Sequence, residues 1–196
     1  MAKGTDTRER IVARAAQVFS ERGFFGSSMN DLLAATGLQK GGLYNHFASK
    51  EALALASFDY AVSLVERRFT AALDGRTGAV ERLVAVVDVI RSLVDDPALP
   101  GGCPVLNTAI EADDTMPALR GRAAEAMTRW QRLIGATVKA GVASGELAAG
   151  ADPRRVATVL TATLEGAVFL SKLYGDPEPM RIAADHATAY VRGLAA

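Results

Sequence analysis

The stretch Gly37-Leu38-Gln39-Lys40-Gly41-Gly42-Leu43-Tyr44-Asn45-His46-Phe47, followed by Ser49-Lys50-Glu51, decides the fold. It reads as the second half of a helix-turn-helix. Thr36-Gly37-Leu38 is a tight turn in which glycine supplies a positive φ. Gln39 to Asn45 is a helix of barely two turns, and Ser49 caps a long helix. Glycine, an aromatic ring, an amide and cations lie close together here, a composition that suits backbone contact with DNA far better than a core.

The residues upstream complete the unit. Either Asp6 or Thr7 caps a first helix, in which Ile11, Val12, Ala15, Val18 and Phe19 recur at helical spacing. Gly23 ends it. Ser28 is an N-cap with Asp31 three residues on, and Met29, Leu32 and Leu33 form the apolar side of a second helix. Two helices joined by a short glycine-containing turn are the helix-turn-helix signature.

Downstream, the spacing predicts only helices. The helix opened by Ser49 runs to Leu73 with two apolar stripes. One stripe suits the N-terminal unit and the other a larger domain, which makes this helix a natural lever. Asp74 to Gly78 breaks it, and Val80–Val94 follows. A loop precedes a short helix from Pro104 to Glu111, and a longer one restarts at Met116-Pro117. Asp152-Pro153 opens a helix through Tyr174, and Ile182, His186, Tyr190 and Leu194 mark the last. The expected fold is all-α, with a helix-turn-helix DNA-binding domain over 1–50 and a larger helical domain over 51–196.

Composition agrees. The chain has 196 residues, 49% apolar but only 6% aromatic, which is helical usage. The formal net charge is zero, yet residues 1–50 hold seven Lys/Arg against four Asp/Glu and are net basic. The remainder is net acidic, the expected direction for a chain whose N-terminal part meets nucleic acid. The N-terminus lacks an apolar signal core, and no run of about 18 uncharged apolar residues is present, so neither a leader nor a membrane span is expected. A cytoplasmic location follows most simply. One cysteine excludes an intramolecular disulfide. His46 and His186 are the only histidines. No metal-ligand spacing, nucleophile elbow, phosphate loop or dinucleotide fingerprint occurs, so no cofactor, metal site or enzymatic activity is expected. Glu111, Asp113 and Asp114 read as a solvated acidic loop.

Residues 8 to 55 closely resemble the DNA-binding domain of the TetR/AcrR family. The matching elements stand in order: Arg10-Ile11, Phe19, Gly23-Phe24, Ser27-Ser28-Met29 and Ala34-Ala35-Thr36-Gly37-Leu38. Lys40-Gly41, Leu43-Tyr44, His46-Phe47, Ser49-Lys50-Glu51 and Leu53 continue the match. The rest of the chain is similar only in length, helicity and layout.

The short helix is expected in the major groove. Gln39 can read adenine and Lys40 guanine, while Gly41 and Gly42 remove bulk so that the backbone approaches the base edges. Leu43 turns inward. Tyr44, His46 and Lys50 are placed at phosphates, and Ser28 brings a helix N-terminus to another. The resemblance places Ser28, Lys40, Gly41, Tyr44, His46 and Lys50 at positions the family uses on DNA. Gly42 departs from it, since relatives often carry Thr or Ser there.

The helix from Asp152 is apolar nearly all round, so it must be buried on every side, most easily against a second copy. The resemblance implies the same, a four-helix bundle made by the last two helices of each subunit. Val156, Leu160, Leu164, Val168, Ile182, His186 and Tyr190 are the expected dimer contacts. The resemblance further implies a small-molecule effector in the larger domain. Phe58, Val62, Phe69, Leu106, Asn107, Met127, Trp130, Glu165 and Phe169 are candidate lining, with ordinary core packing the competing reading for each. The expected partners are double-stranded operator DNA, a small-molecule effector and a second copy, with no membrane. The reading that follows is a DNA-binding transcriptional regulator, a repressor released from a palindromic operator by its effector. Two alternatives stand beside it: a regulator triggered by covalent change at Cys103, and a small-molecule binding or enzymatic module with a vestigial DNA-binding domain.

Overall fold

The computed structural model describes residues 2–112 and 115–196, with side chains from residue 6 onward. Among these residues lie α1 (Ala2–Gly26), α2 (Met29–Thr36), α3 (Lys40–Tyr44), α4 (Lys50–Leu73) and α5 (Ala79–Arg91). They are followed by α6 (Pro104–Ala112), α7 (Pro117–Ser144), α8 (Pro153–Tyr174) and α9 (Glu178–Arg192). The all-α expectation holds. The described residues form no strand, only an isolated bridge between Leu147 and Ala195.

The chain forms two compact units. One contains residues 1–64 and 97–124, the other 65–96 and 125–196. The first carries the helix-turn-helix together with α6 and the start of α7. Its head closes on Ile11, Val12, Ala15, Leu32, Leu43, Phe47 and Leu53, which α1 to α4 bring together. The Arg8 guanidinium lies 4.7 Å from the centre of the Phe47 ring, covering this core from outside.

Local chemistry sets the head's boundaries. Ser28 is extended (φ −89°, ψ 163°) and forms a reciprocal capping box with Asp31. Gly37 is left-handed at φ 69°, and the N–H groups of Gly37 and Leu38 both donate to the Leu33 carbonyl, closing α2. One expectation is corrected: α1 already runs through Asp6 and Thr7, so neither caps it. Gly23 does break the helix, at φ 72° and ψ 174°, but one further helical turn follows before Ser27.

In the second unit α8 and α9 pack against each other and against α5. Asp152 caps α8 through the Arg155 N–H, Pro153 opens it, and left-handed Gly175 closes it. The N-cap of α5, Gly78, has no side chain to offer. Glu146 replaces it, accepting from the N–H groups of Ala79 (2.5 Å) and Val80 (2.9 Å). By length and composition α8 is apolar enough to cross a bilayer, with a mean hydropathy of 1.4 in its most apolar window. Here much of that surface is buried inside the second unit: Val156, Leu160, Leu164 and Val168 form one inward stripe.

Candidate nucleic-acid interface

The head presents α3 outward. Leu43 points into the core, as expected, and leaves Gln39, Lys40, Gly41 and Tyr44 exposed on the opposite side. Gln39 is the N-cap of α3 but makes no side-chain cap hydrogen bond. Among the described residues, no hydrogen bond or ion pair engages the side chains of Gln39, Lys40, Tyr44 or His46. Tyr44 is 42% exposed, which leaves its hydroxyl open to solvent.

The two glycines of α3 are not required by the protein's own packing. A methyl group on Gly41 would meet nothing within 4 Å, and one on Gly42 would make only ordinary contact with Leu38 at 3.8 Å. Neither has a positive φ. The fold would accept alanine at both, so the bare backbone is a property of the outward surface.

Ser28 and Lys50 are more committed than their spacing indicated. The Ser28 hydroxyl donates to Asp31 Oδ2 (2.6 Å) and accepts from the Asp31 N–H (3.1 Å). Bonds from Ser28 and the neighbouring Arg22 hold the Asp31 carboxyl below its ordinary value. At this helix terminus the Met29 and Asn30 N–H groups have no partner within the helix. Lys50 Nζ donates to the carbonyls of Phe24 and Ser27 and lies over the Phe24 ring. Desolvation at this half-buried spot pulls its pKa down, opposed by the charges of Glu111 and Asp31.

Glu111 escaped the sequence reading. Rather than belonging to a solvated loop, its carboxylate accepts from the Phe24 N–H (2.7 Å) and the Phe25 N–H (2.8 Å). Asp113 and Asp114 lie outside the described residues. No local signal marks Glu111, because its partners stand 86 and 87 positions away.

The candidate effector residues are distributed over both units, Phe58, Val62, Leu106 and Asn107 in the first and Phe69, Met127, Trp130, Glu165 and Phe169 in the second. Phe58 lines a cavity of about 50 Å³ in the first unit, with Phe19, Phe24, Thr108, Glu111 and Met116 among its neighbours. Val62 is buried nearby in sequence on α4, Leu106 is half-buried, and the Asn107 amide donates to the Gly101 carbonyl. In the second unit Phe69 and Trp130 meet edge to face at 5.5 Å and are core residues. The Trp130 indole N–H is buried and has no acceptor among the described residues. Met127 is half-buried and Glu165 is buried. Phe169 is 50% exposed on the outer side of α8 and lines no interior. Cys103 is fully buried just before α6.

The dimer candidates divide sharply. Val156, Leu160, Leu164 and Val168 are buried within their own subunit, so they are unavailable to a partner. The outward apolar stripe of α8 is instead Val159, Ala162, Gly166, Phe169, Leu170 and Leu173, at spacings of three and four. On α9, Ile182 and His186 are exposed and Tyr190 is half-buried.

Comparison with known proteins agrees with this geometry. The family model "Bacterial regulatory proteins, tetR family" matches residues 11–57, and "Tetracyclin repressor-like, C-terminal domain" matches residues 79–187. The fold is similar to that of a TetR transcriptional regulator from Chloroflexus aurantiacus J-10-FL. The TM-score is 0.95 and the identity 45%, over 100% of this chain and 98% of that one. In sequence it is 28% identical over 177 residues to the HTH-type transcriptional repressor DhaR of Mycobacterium sp. strain GP1, covering 90% of this chain and 87% of DhaR. It is 26% identical over 196 residues to the HTH-type transcriptional repressor NemR of Escherichia coli K12, covering 97% and 94%. With an outward-facing recognition helix in its helix-turn-helix and a tetracyclin repressor-like helical domain over residues 79–187, the chain belongs to the tetR family of bacterial regulatory proteins and is a helix-turn-helix transcriptional regulator.

Proposed function

We propose that this regulator is a homodimeric repressor, cytoplasmic, that leaves a palindromic operator when a small molecule binds. The observation that carries the DNA reading is the outward face of α3, where Gln39, Lys40 and Tyr44 are exposed and unclaimed beside two glycines that packing does not demand. Gln39 and Lys40 read base edges, Gly41 and Gly42 let the backbone approach, and Tyr44 and His46 reach phosphates. The first turn of α2, capped by Ser28, receives another phosphate through its N–H groups. Lys50 shapes the loop that presents Ser28 and brings its positive charge close to the phosphate there. Residues 1–50 are the DNA-binding part, and 51–196 receive the effector and the second copy.

The dimer contact is the outward stripe of α8 with Ile182, His186 and Tyr190 of α9. Gly166 at its centre has open space where a side chain would stand, allowing a partner helix to approach closely. The exposed Phe169, Leu173 and Ile182 supply an apolar surface that water covers poorly. Two heads then meet successive major-groove faces about 34 Å apart. The repressor assignment rests on the names of DhaR and NemR, and a ligand with a preference of a few kcal/mol for a mismatched spacing empties the operator.

The test is a band shift of the purified protein on its own upstream intergenic DNA, at stated salt and with excess competitor DNA. A specific shift abolished by Lys40→Ala with Tyr44→Phe supports the reading. Specific binding that survives both substitutions places the DNA surface elsewhere.

A further inference from the structure

Glu111 stands far outside the helix-turn-helix in sequence, yet it holds the bend on which that motif turns. Gly23 breaks α1, and the turn Phe24–Gly26 redirects the chain toward Ser27, Ser28 and α2. The two N–H groups freed by that break, those of Phe24 and Phe25, both donate to the Glu111 carboxylate on α6. The carbonyls of Phe24 and Ser27 both accept from Lys50 on α4. The donors of the bend are thus held by one helix and its acceptors by another.

Gly23 sits directly against the Glu111 carboxylate. A methyl group on Gly23 would stand 2.5 Å from Glu111 Oε1, and the positive φ there also favours glycine. A second attachment lies one turn back on α1, where the Gly101 N–H donates to Ser20 Oγ at 2.9 Å. Gly101 belongs to the loop that leads into α6, and the Asn107 amide of α6 in turn binds the Gly101 carbonyl. Both attachments flank the cavity of about 50 Å³, which Glu111, Thr108 and Pro104 line from α6. A carboxylate accepting two N–H groups is strong and directional, so a movement of α6 is carried to the bend.

We propose that Glu111 is a positioning residue for operator binding: by holding the Phe24 and Phe25 amides it fixes the pose in which the reading head is presented. This rests on the DNA-binding reading above. A single head on a single half-site needs only its own DNA contacts and no particular pose relative to a second head. A pair of heads on a palindrome needs both in the right pose, so the two kinds of site separate positioning from simple integrity of the head.

The experiment is fluorescence anisotropy of the full-length protein on two duplexes: the operator fragment shifted by the parent, and the same fragment cut to one half-site. Glu111→Gln keeps the volume and loses the charge. It is expected to weaken binding to the full operator roughly tenfold while leaving half-site binding within about twofold. Amide exchange at Phe24 and Phe25 is expected to accelerate in the same variant. Glu111→Asp keeps the charge with a shorter reach, and an intermediate loss on the full operator is expected; it serves as the test if Glu111→Gln fails to fold. Unchanged affinity for the full operator overturns the proposal, as does an equal loss on both duplexes. If the parent protein shifts no fragment of its own upstream DNA, the DNA-binding reading itself is removed.

Discussion

The Lys50 ammonium stands 4.1 Å from the centre of the Phe24 ring and donates to the carbonyl of that same residue. One cation thus satisfies two backbone acceptors, at Phe24 and Ser27, while its charge rests on an aromatic face. Lys50→Ala leaves those carbonyls to water. It is expected to cost about 2 kcal/mol of stability, measured by urea unfolding. If Lys50 served only as a phosphate contact, the same substitution would weaken DNA binding and leave the urea midpoint unchanged.

Gly41→Ala enters open space, and Gly42→Ala makes only ordinary contact with Leu38. Each is expected to stabilise the protein by about 0.5–1 kcal/mol, since alanine costs a helix less than glycine. Gly41→Ala is also expected to weaken operator binding, because its methyl group stands on the exposed face. A variant that gains stability and binds the operator as tightly as the parent would show that the bare backbone has no part in recognition.

The two sides of α8 are expected to respond differently. Leu164→Ala removes a fully buried side chain and should cost about 2–5 kcal/mol of subunit stability. Leu173→Glu adds charge to a position 59% exposed, so the subunit should remain folded but run as a monomer in sedimentation. A Leu173→Glu protein that stays dimeric would move the contact off this stripe.

Gly101→Ala would drive a methyl group into the Ser20 carbonyl oxygen. The loop and α1 must then separate, at an expected cost of about 1–3 kcal/mol. A melting temperature equal to the parent's would mean that the loop yields freely.

Acid should open the capping box of α2. The folded-state pKa of Asp31 lies below its ordinary 3.8, so its contribution is complete above that value and is lost as pH falls through the lower one. Circular dichroism in this range should show a loss of helicity that Asp31→Ala, already lacking the cap, does not share. Identical acid profiles would place the loss at other carboxylates.

The sequence by itself determined the elements whose causes lie within one helical turn. Ser28 and Asp31 close a cap three residues apart, Gly37 takes the left-handed turn, Leu43 falls on the inward side, and Asp152-Pro153 and Gly175 bound α8. These depend on hydrogen bonds and steric limits among near neighbours, so residue type and spacing are enough to read them. Only the tertiary structure decided which face of α8 is used inside the subunit, because a helix apolar on every side carries no periodic signal that selects one. It likewise decided the partners of Phe24. Lys50 and Glu111 reach it across 26 and 87 positions, and a charge at such a distance finds its acceptor or donor only when the packing of α1, α4 and α6 has set them side by side.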